Sequence, residues 1–201
     1  MDKIDFSFRD VDRTMRPPRA TYGFTLVEVL IILFVGAILI GLAAPWMRGW
    51  VMQHHLATST NSLLSAFHLA RQTAIELHRP VSICAGESGA CQSRSRWDWS
   101  KGWIVFIDRN RNGLLDGEET PLHTGHASHA DLAVAANSPL SKTVIFTALG
   151  FAEQPGGAFA VGRLRICVPL PIDKNARDLI LAKSGRLRLE EADFSGTCPA
   201  P

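Results

Sequence analysis

From residue 24 to residue 47 the chain is apolar at nearly every position and carries one charged side chain, Glu28. At about 1.5 Å of rise per residue, a helix of this length is long enough to cross a bilayer. The pattern then narrows to a stripe. Leu63, Phe67, Ala70, Ala74 and Leu77 recur at alternating four- and three-residue steps, which places them on one face of an amphipathic helix. Pro45 is expected to bend this helix near the membrane exit. Pro80 ends the pattern, because the residue before a proline is pushed out of helical geometry. The expectation is one helix from Phe24 to about Leu77, with its first half in lipid and its second half packed on a head.

Beyond Pro80 the period changes. Residues 81–84, 102–107, 132–135, 143–147, 160–168, 179–183 and 186–189 are short β-rich segments separated by Gly, Pro, Asn and Asp. A long helix followed by antiparallel strands predicts an α+β protein, the amphipathic half of the helix covering a sheet. The divisions are residues 1–23 as a leader, 24–47 as the apolar helix, 48–78 as its amphipathic continuation, and 80–201 as a β-rich head.

The residues opening the apolar helix carry the first functional signal. A carboxylate in a membrane helix is expensive, so Glu28 needs a role. The run Gly23-Phe24-Thr25-Leu26-Val27-Glu28 follows a charged segment and precedes the apolar stretch, whereas an ordinary secretory signal is cut after its apolar segment. This arrangement resembles the type IV pilins and pseudopilins. The resemblance implies a prepilin peptidase that cuts between Gly23 and Phe24 and methylates Phe24. It also implies a bacterial inner-membrane protein with a single pass and a periplasmic head. Its partners would be other major and minor pilins, joined through the N-terminal helices in a pilus or pseudopilus fibre. In such a fibre Glu28 would face the N-terminal amine of a neighbour, each charge offsetting the other's desolvation.

Composition bounds the rest. The leader holds five of the 21 basic and four of the 19 acidic residues, leaving 16 against 15 in the remaining 178 residues. Bulk attraction to nucleic acid is not implied, so any such site must be a local patch. The four cysteines all lie beyond the apolar helix and suit an oxidising space.

The segment Leu69-Ala70-Arg71-Gln72-Thr73-Ala74-Ile75, then Arg79-Pro80-Val81, then a Cys pair, is similar to the FimT/GspH branch of minor pilins and pseudopilins. So is Trp99-Ser100-Lys101-Gly102-Trp103-Ile104-Val105-Phe106 with the Asn-Gly turn that follows. GspH-like members are interaction proteins at the tip of a type II secretion pseudopilus. Some FimT-like members bind DNA during natural transformation through a C-terminal Gly-Arg-x-Arg motif, here Gly185-Arg186-Leu187-Arg188. The chemistry can be argued from the residues. Ser184-Gly185 is a turn signal, and residues two apart on a strand share a face. Arg186 and Arg188 would therefore point outward, with Leu187 and Leu189 inward. Guanidinium groups about 7 Å apart can engage neighbouring backbone phosphates, with Lys183 across the turn as a third cation. The bland alternative is an edge strand kept soluble by arginine. Arg163 and Arg165 repeat the motif in an earlier strand; unless that strand neighbours the hairpin, they are expected to be ordinary exposed residues.

Other features are weaker. Four cysteines allow three pairings; Cys84–Cys91 and Cys167–Cys198 are expected, the second clamping the tail on the sheet. Asp108, Asn110, Asn112 and Glu119 fit the calcium-loop pattern, with Gly113 at the turn. A leading strand, together with Arg109 and Arg111, favours a metal-free loop, and no cofactor is expected. Trp99 and Trp103 are expected under a loop and Trp97 exposed, while His123, His126 and His129 are expected to be solvated. No catalytic constellation is present, so the protein is expected not to be an enzyme.

Overall fold

The computed structural model describes residues 23–87, 89–91 and 98–201, with the side chains of 43–46 excluded. The leader up to residue 22, the exposed position expected for Trp97 and the bend expected at Pro45 lie outside that set. The chain divides into two compact units, Met1–Ala43 and Ala44–Pro201.

The helix α1 is Leu26–Leu77. In the first unit its start is capped by Thr25, whose Oγ1 accepts from the Glu28 backbone N–H at 3.2 Å. Thr25 and Glu28 have the spacing of a capping box, and the Glu28 carboxylate favours the positive end of the helix dipole. Leu26, Leu33, Phe34 and Leu39 are each more than 60% exposed, so this unit presents an uncovered apolar surface. Among the described residues no single helix is long and apolar enough to cross a membrane. Leu26–Leu42 and Met47–Leu77 meet that test as a pair, by length and composition.

In the second unit the helical stripe faces the core. Leu63, Phe67, Ala70 and Ala74 are buried, and Met52, Leu56 and Ala66 extend the stripe. Leu77, expected at its end, is 47% exposed. The helix is already closing there: His78 turns left-handed (φ 52°) and Arg79 N–H donates to Ala74 O at 3.3 Å. This is a Schellman closure, and Pro80 then forbids continuation.

Among the described residues ten strands follow, all paired antiparallel: β1 (Val81–Glu87), β2 (Ala90–Cys91), β3 (Trp103–Ile107), β4 (Pro121–Gly125), β5 (Ala133–Ala136), β6 (Val144–Phe146), β7 (Ala152–Glu153), β8 (Gly162–Cys167), β9 (Ala176–Leu181) and β10 (Leu187–Ala192). They form two sheets, ordered β4-β3-β1-β6-β7 (with β2 beside β1) and β10-β9-β8-β5. Ile83, Val105 and Phe146 from the first sheet and Leu164, Ile166 and Leu179 from the second join the helical stripe in one core. Phe67 stacks on Trp99 at 6.0 Å, and Trp99 Nε1 donates to Leu140 O at 3.2 Å, so the buried indole keeps a partner.

The α+β class and helix-on-sheet packing are as the periodicities imply; the head has two sheets rather than one. Three strands escaped the alternation rule. β4 reads Pro-Leu-His-Thr-Gly and is exposed along nearly its whole length, while β2 and β7 are two residues each.

Candidate nucleic-acid interface

The hairpin β9–β10 is closed by Gly185, whose φ of 74° favours glycine. Its Cα also sits against other segments: a Cβ there would lie 2.1 Å from Gly150 O and 2.7 Å from Arg71 Nε. Arg71, on α1, donates Nε to Gly150 O at 3.1 Å. Ala152 N–H donates to Lys183 O at 3.0 Å. The hairpin tip is thus seated on α1 and on the segment leading into β7.

Register decides which side chains share a face. Leu187 pairs with Leu181, Arg188 with Ile180 and Glu190 with Asp178. On the other side of β9, Arg163 pairs with Ile180 and Arg165 with Asp178. Arg163, Ile180 and Arg188 therefore form one row across three strands, and Arg165, Asp178 and Glu190 the next. Leu164, Leu179 and Leu181 point the other way into the core, with Leu187 packed against it. Leu189, expected inward, is 39% exposed because β10 is the sheet's outer strand.

β8 and β10 do not touch; β9 lies between them, and at about 4.8 Å per strand Arg163 and Arg188 are about 10 Å apart along the sheet. The two arginines of β8 have different fates, and neither is an ordinary exposed residue. Arg165 is 6% exposed. It donates Nε and Nη2 to the two carboxylate oxygens of Asp178 at 2.8 and 2.9 Å, Nη1 to Pro199 O at 3.1 Å, and lies 4.1 Å from the Phe194 ring centroid. Arg163 shares Asp178 at 2.9 Å but keeps a side chain 41% exposed. Arg186 and Arg188 are exposed, Arg188 being 2.5 Å from Glu190. Exposed pairs of this kind are weak and leave the cation available.

The tail explains the difference. Cys167 on β8 is bonded to Cys198, and Cys84 to Cys91. Asn175 Nδ2 donates to Val168 O and Thr197 O, and its Oδ1 accepts from Phe194 N–H at 2.7 Å. The tail is thereby held over Arg165, while the row of Arg163 and Arg188 stays open.

The other expected sites have different surroundings. Asp108 is buried; its Oδ2 accepts from Ser82 Oγ at 2.6 Å and Gly113 N–H at 3.0 Å, and its Oδ1 from Asn112 N–H at 3.2 Å. Asn110 and Asn112 donate their side-chain N–H groups to Asp116, and Glu119 accepts from Arg109 and Asp116 N–H. The loop's oxygens accept from the Ser82 hydroxyl and from N–H donors within the loop. Among the described residues no group of three His, Cys, Asp or Glu could hold a metal. His123 and His126 are exposed. His129 departs from the solvated expectation: its ring lies 4.9 Å from that of His55, a helix residue, and 3.6 Å from Asp131.

Sequence reasoning missed Asp178 and Arg71. Asp178 fell just before the expected start of its strand, yet Ala176, Asp178 and Ile180 alternate with Leu179 and Leu181, a signal that extends β9 backward. Arg71 had no local signal, since its partner carbonyl is 79 residues away.

A family model described as type II transport protein GspH matches residues 59–185, and one for the prokaryotic N-terminal methylation motif matches residues 18–44. The type IV minor pilin FimU of Pseudomonas aeruginosa PAO1 shares the fold in two crystal forms. One aligns at 22% identity and TM-score 0.54, covering 74% of this chain and 99% of FimU. The other aligns at 23% and 0.51, covering 71% and 100%. No match was found among curated proteins. The GspH match stops at Gly185, one residue before the exposed arginine pair. The chain belongs to the GspH family and carries the N-terminal methylation motif, so it is a minor pilin or pseudopilin, a structural subunit rather than an enzyme.

Proposed function

We propose that this minor pilin binds the DNA backbone through the outer face of its C-terminal sheet and serves DNA uptake. One observation carries the reading: Arg163 and Arg188 share a row across Ile180, with Arg186 exposed one step beyond. Lys183 lies at the same tip. These cations flank one open surface while the tail covers only its other end. Phosphate contacts carry no sequence information, so binding is sequence-independent and salt-sensitive. With few contacts per head, affinity is modest, and repeated engagement along a fibre would strengthen it.

The rest of the protein's life fits this role. Cleavage between Gly23 and Phe24, methylation of Phe24 and single-pass insertion in the inner membrane precede assembly with other pilins through the uncovered apolar surface of Leu26–Leu42 and Glu28. That apolar surface equally favours the second reading, a tip or priming subunit of a pilus or type II secretion pseudopilus that binds no DNA.

The test is fluorescence anisotropy with labelled DNA and the full chain in nonionic detergent, at several salt concentrations. Arg186→Gln/Arg188→Gln should abolish most binding, and Arg163→Gln should lower both affinity and salt slope, each phosphate contact adding about 0.7–0.9 to that slope. Absence of binding at low salt would leave the structural-subunit reading.

A further inference from the structure

We propose that the DNA form this surface takes is single-stranded, with bases stacked on Phe159 and Phe151 and phosphates held by the neighbouring cations; this rests on the DNA reading above. The apolar part of the surface is as well built as the basic part. Ala152 and Ala160 are buried and joined by the bond from Ala160 N–H to Ala152 O at 3.0 Å. Their neighbours face solvent: Phe151 is 39%, Phe159 54% and Val161 47% exposed. Val161 leads directly into β8. One step beyond the paired residues Gly162, Leu181 and Leu187 lie Val161, Ala182 and Arg186, and Ala182 N–H donates to Arg186 O at 3.0 Å. The apolar patch therefore runs without a break into the row of arginines.

A lysine stands beside one ring, and arginines continue along the neighbouring sheet face. Lys183 Nζ stands 5.7 Å from the Phe159 ring centroid, and Lys183 O holds Ala152 N–H. Along the same sheet face, the row of Val161, Ala182 and Arg186 is followed by the row of Arg163, Ile180 and Arg188. Glu153, the carboxylate nearest the rings in sequence, is paired with Arg111. A contiguous exposed apolar patch rimmed by polar residues marks an interaction site. A duplex keeps its bases inside and offers such rings nothing, whereas a single strand presents base faces that stack on aromatics while its phosphates meet cations. A protein partner would use the same rings without needing Lys183 beside one of them and arginines on the adjoining face.

The experiment compares a labelled oligothymidine with a duplex of equal length, using the full chain in detergent. The variants are Phe151→Ala/Phe159→Ala and Arg186→Gln/Arg188→Gln, each checked for an unchanged melting temperature; single-ring variants serve if the double variant is destabilised. Expected is tighter binding of the single strand, with the phenylalanine variant losing at least tenfold on it and less than threefold on duplex. The arginine variant should lose both. Equal binding of the two DNA forms without an effect of the rings would overturn this inference and leave DNA binding intact. No binding of either form would overturn both.

Discussion

Arg165 and Asp178 face each other across β8 and β9 as a two-pronged ion pair, at 2.8 and 2.9 Å, with side chains only 7% and 2% exposed. An isolated buried charge is far more costly than a buried pair. Asp178→Ala should therefore destabilise the full chain by about 3–5 kcal/mol, as broken buried pairs do. Arg165→Met/Asp178→Leu should be much less damaging because it leaves no orphan charge. Denaturant melts in detergent would separate the two. Equal losses would mean that the pair is not what the site depends on.

The disulfide Cys167–Cys198 closes 31 residues of chain and carries the tail that buries Arg165. Removing it with Cys167→Ala/Cys198→Ala should cost about 2–4 kcal/mol, the usual range for such a link. Chymotrypsin should then cleave after Phe194, in the released tail, under conditions where the parent resists. Protection of Phe194 without the disulfide would show that Asn175 alone holds the tail.

Gly185 is the hinge between the strand that enters the basic hairpin and the one that leaves it. A Cβ would meet Gly150 O at 2.1 Å in a left-handed conformation, so Gly185→Ala should cost about 2 kcal/mol or more. Because the tip would have to lift from Arg71 and Gly150, DNA affinity should also fall although every cation remains. A variant with parental stability and affinity would show that the tip is not seated as described.

How far the chain could be read from its letters follows from what was local. The stripe of Leu63, Phe67, Ala70 and Ala74 is a property of one helix, and it appears on the buried face because packing obeys that period. The turn at Ser184-Gly185 and the outward direction of Arg186 and Arg188 are equally local. What depends on pairing was out of reach. No feature near Arg163 reveals that it lines up with Arg188, since that requires β9 between them and a register fixed by Ile180. Nor does Arg165 announce its burial, which depends on a tail more than thirty residues away. β4 carries neither alternation nor burial and so had no pattern to find.

Asp108 tests what holds the loop after β3. Its carboxylate accepts from Ser82 and from two backbone N–H groups, all in or beside the loop. Asp108→Ala should cost about 2–3 kcal/mol by leaving buried donors unpaired. Millimolar calcium should not raise the parent's melting temperature, because the loop's oxygens already have partners. A calcium-dependent rise would show that the loop rearranges into the ligand set Asp108, Asn110, Asn112 and Glu119.

Glu28 has two separable tasks. Its backbone N–H donates to Thr25 Oγ1 at the helix start, a bond that survives any change of side chain. Its carboxylate lies at the positive end of the helix, where an acidic group is favoured by about 0.3–1 kcal/mol. That is too little to explain a carboxylate in an otherwise apolar helix; pairing with the amine of a processed neighbour would supply the larger benefit. Glu28→Ala should therefore leave processing and membrane association unchanged while sharply reducing recovery in sheared fibres. Glu28→Gln, which keeps size and polarity without charge, should behave like Ala if the ion pair matters and like the parent if only a polar side chain is needed there. Normal assembly of both variants would remove the intersubunit role of Glu28. Loss of processing would instead place its contribution at the peptidase step.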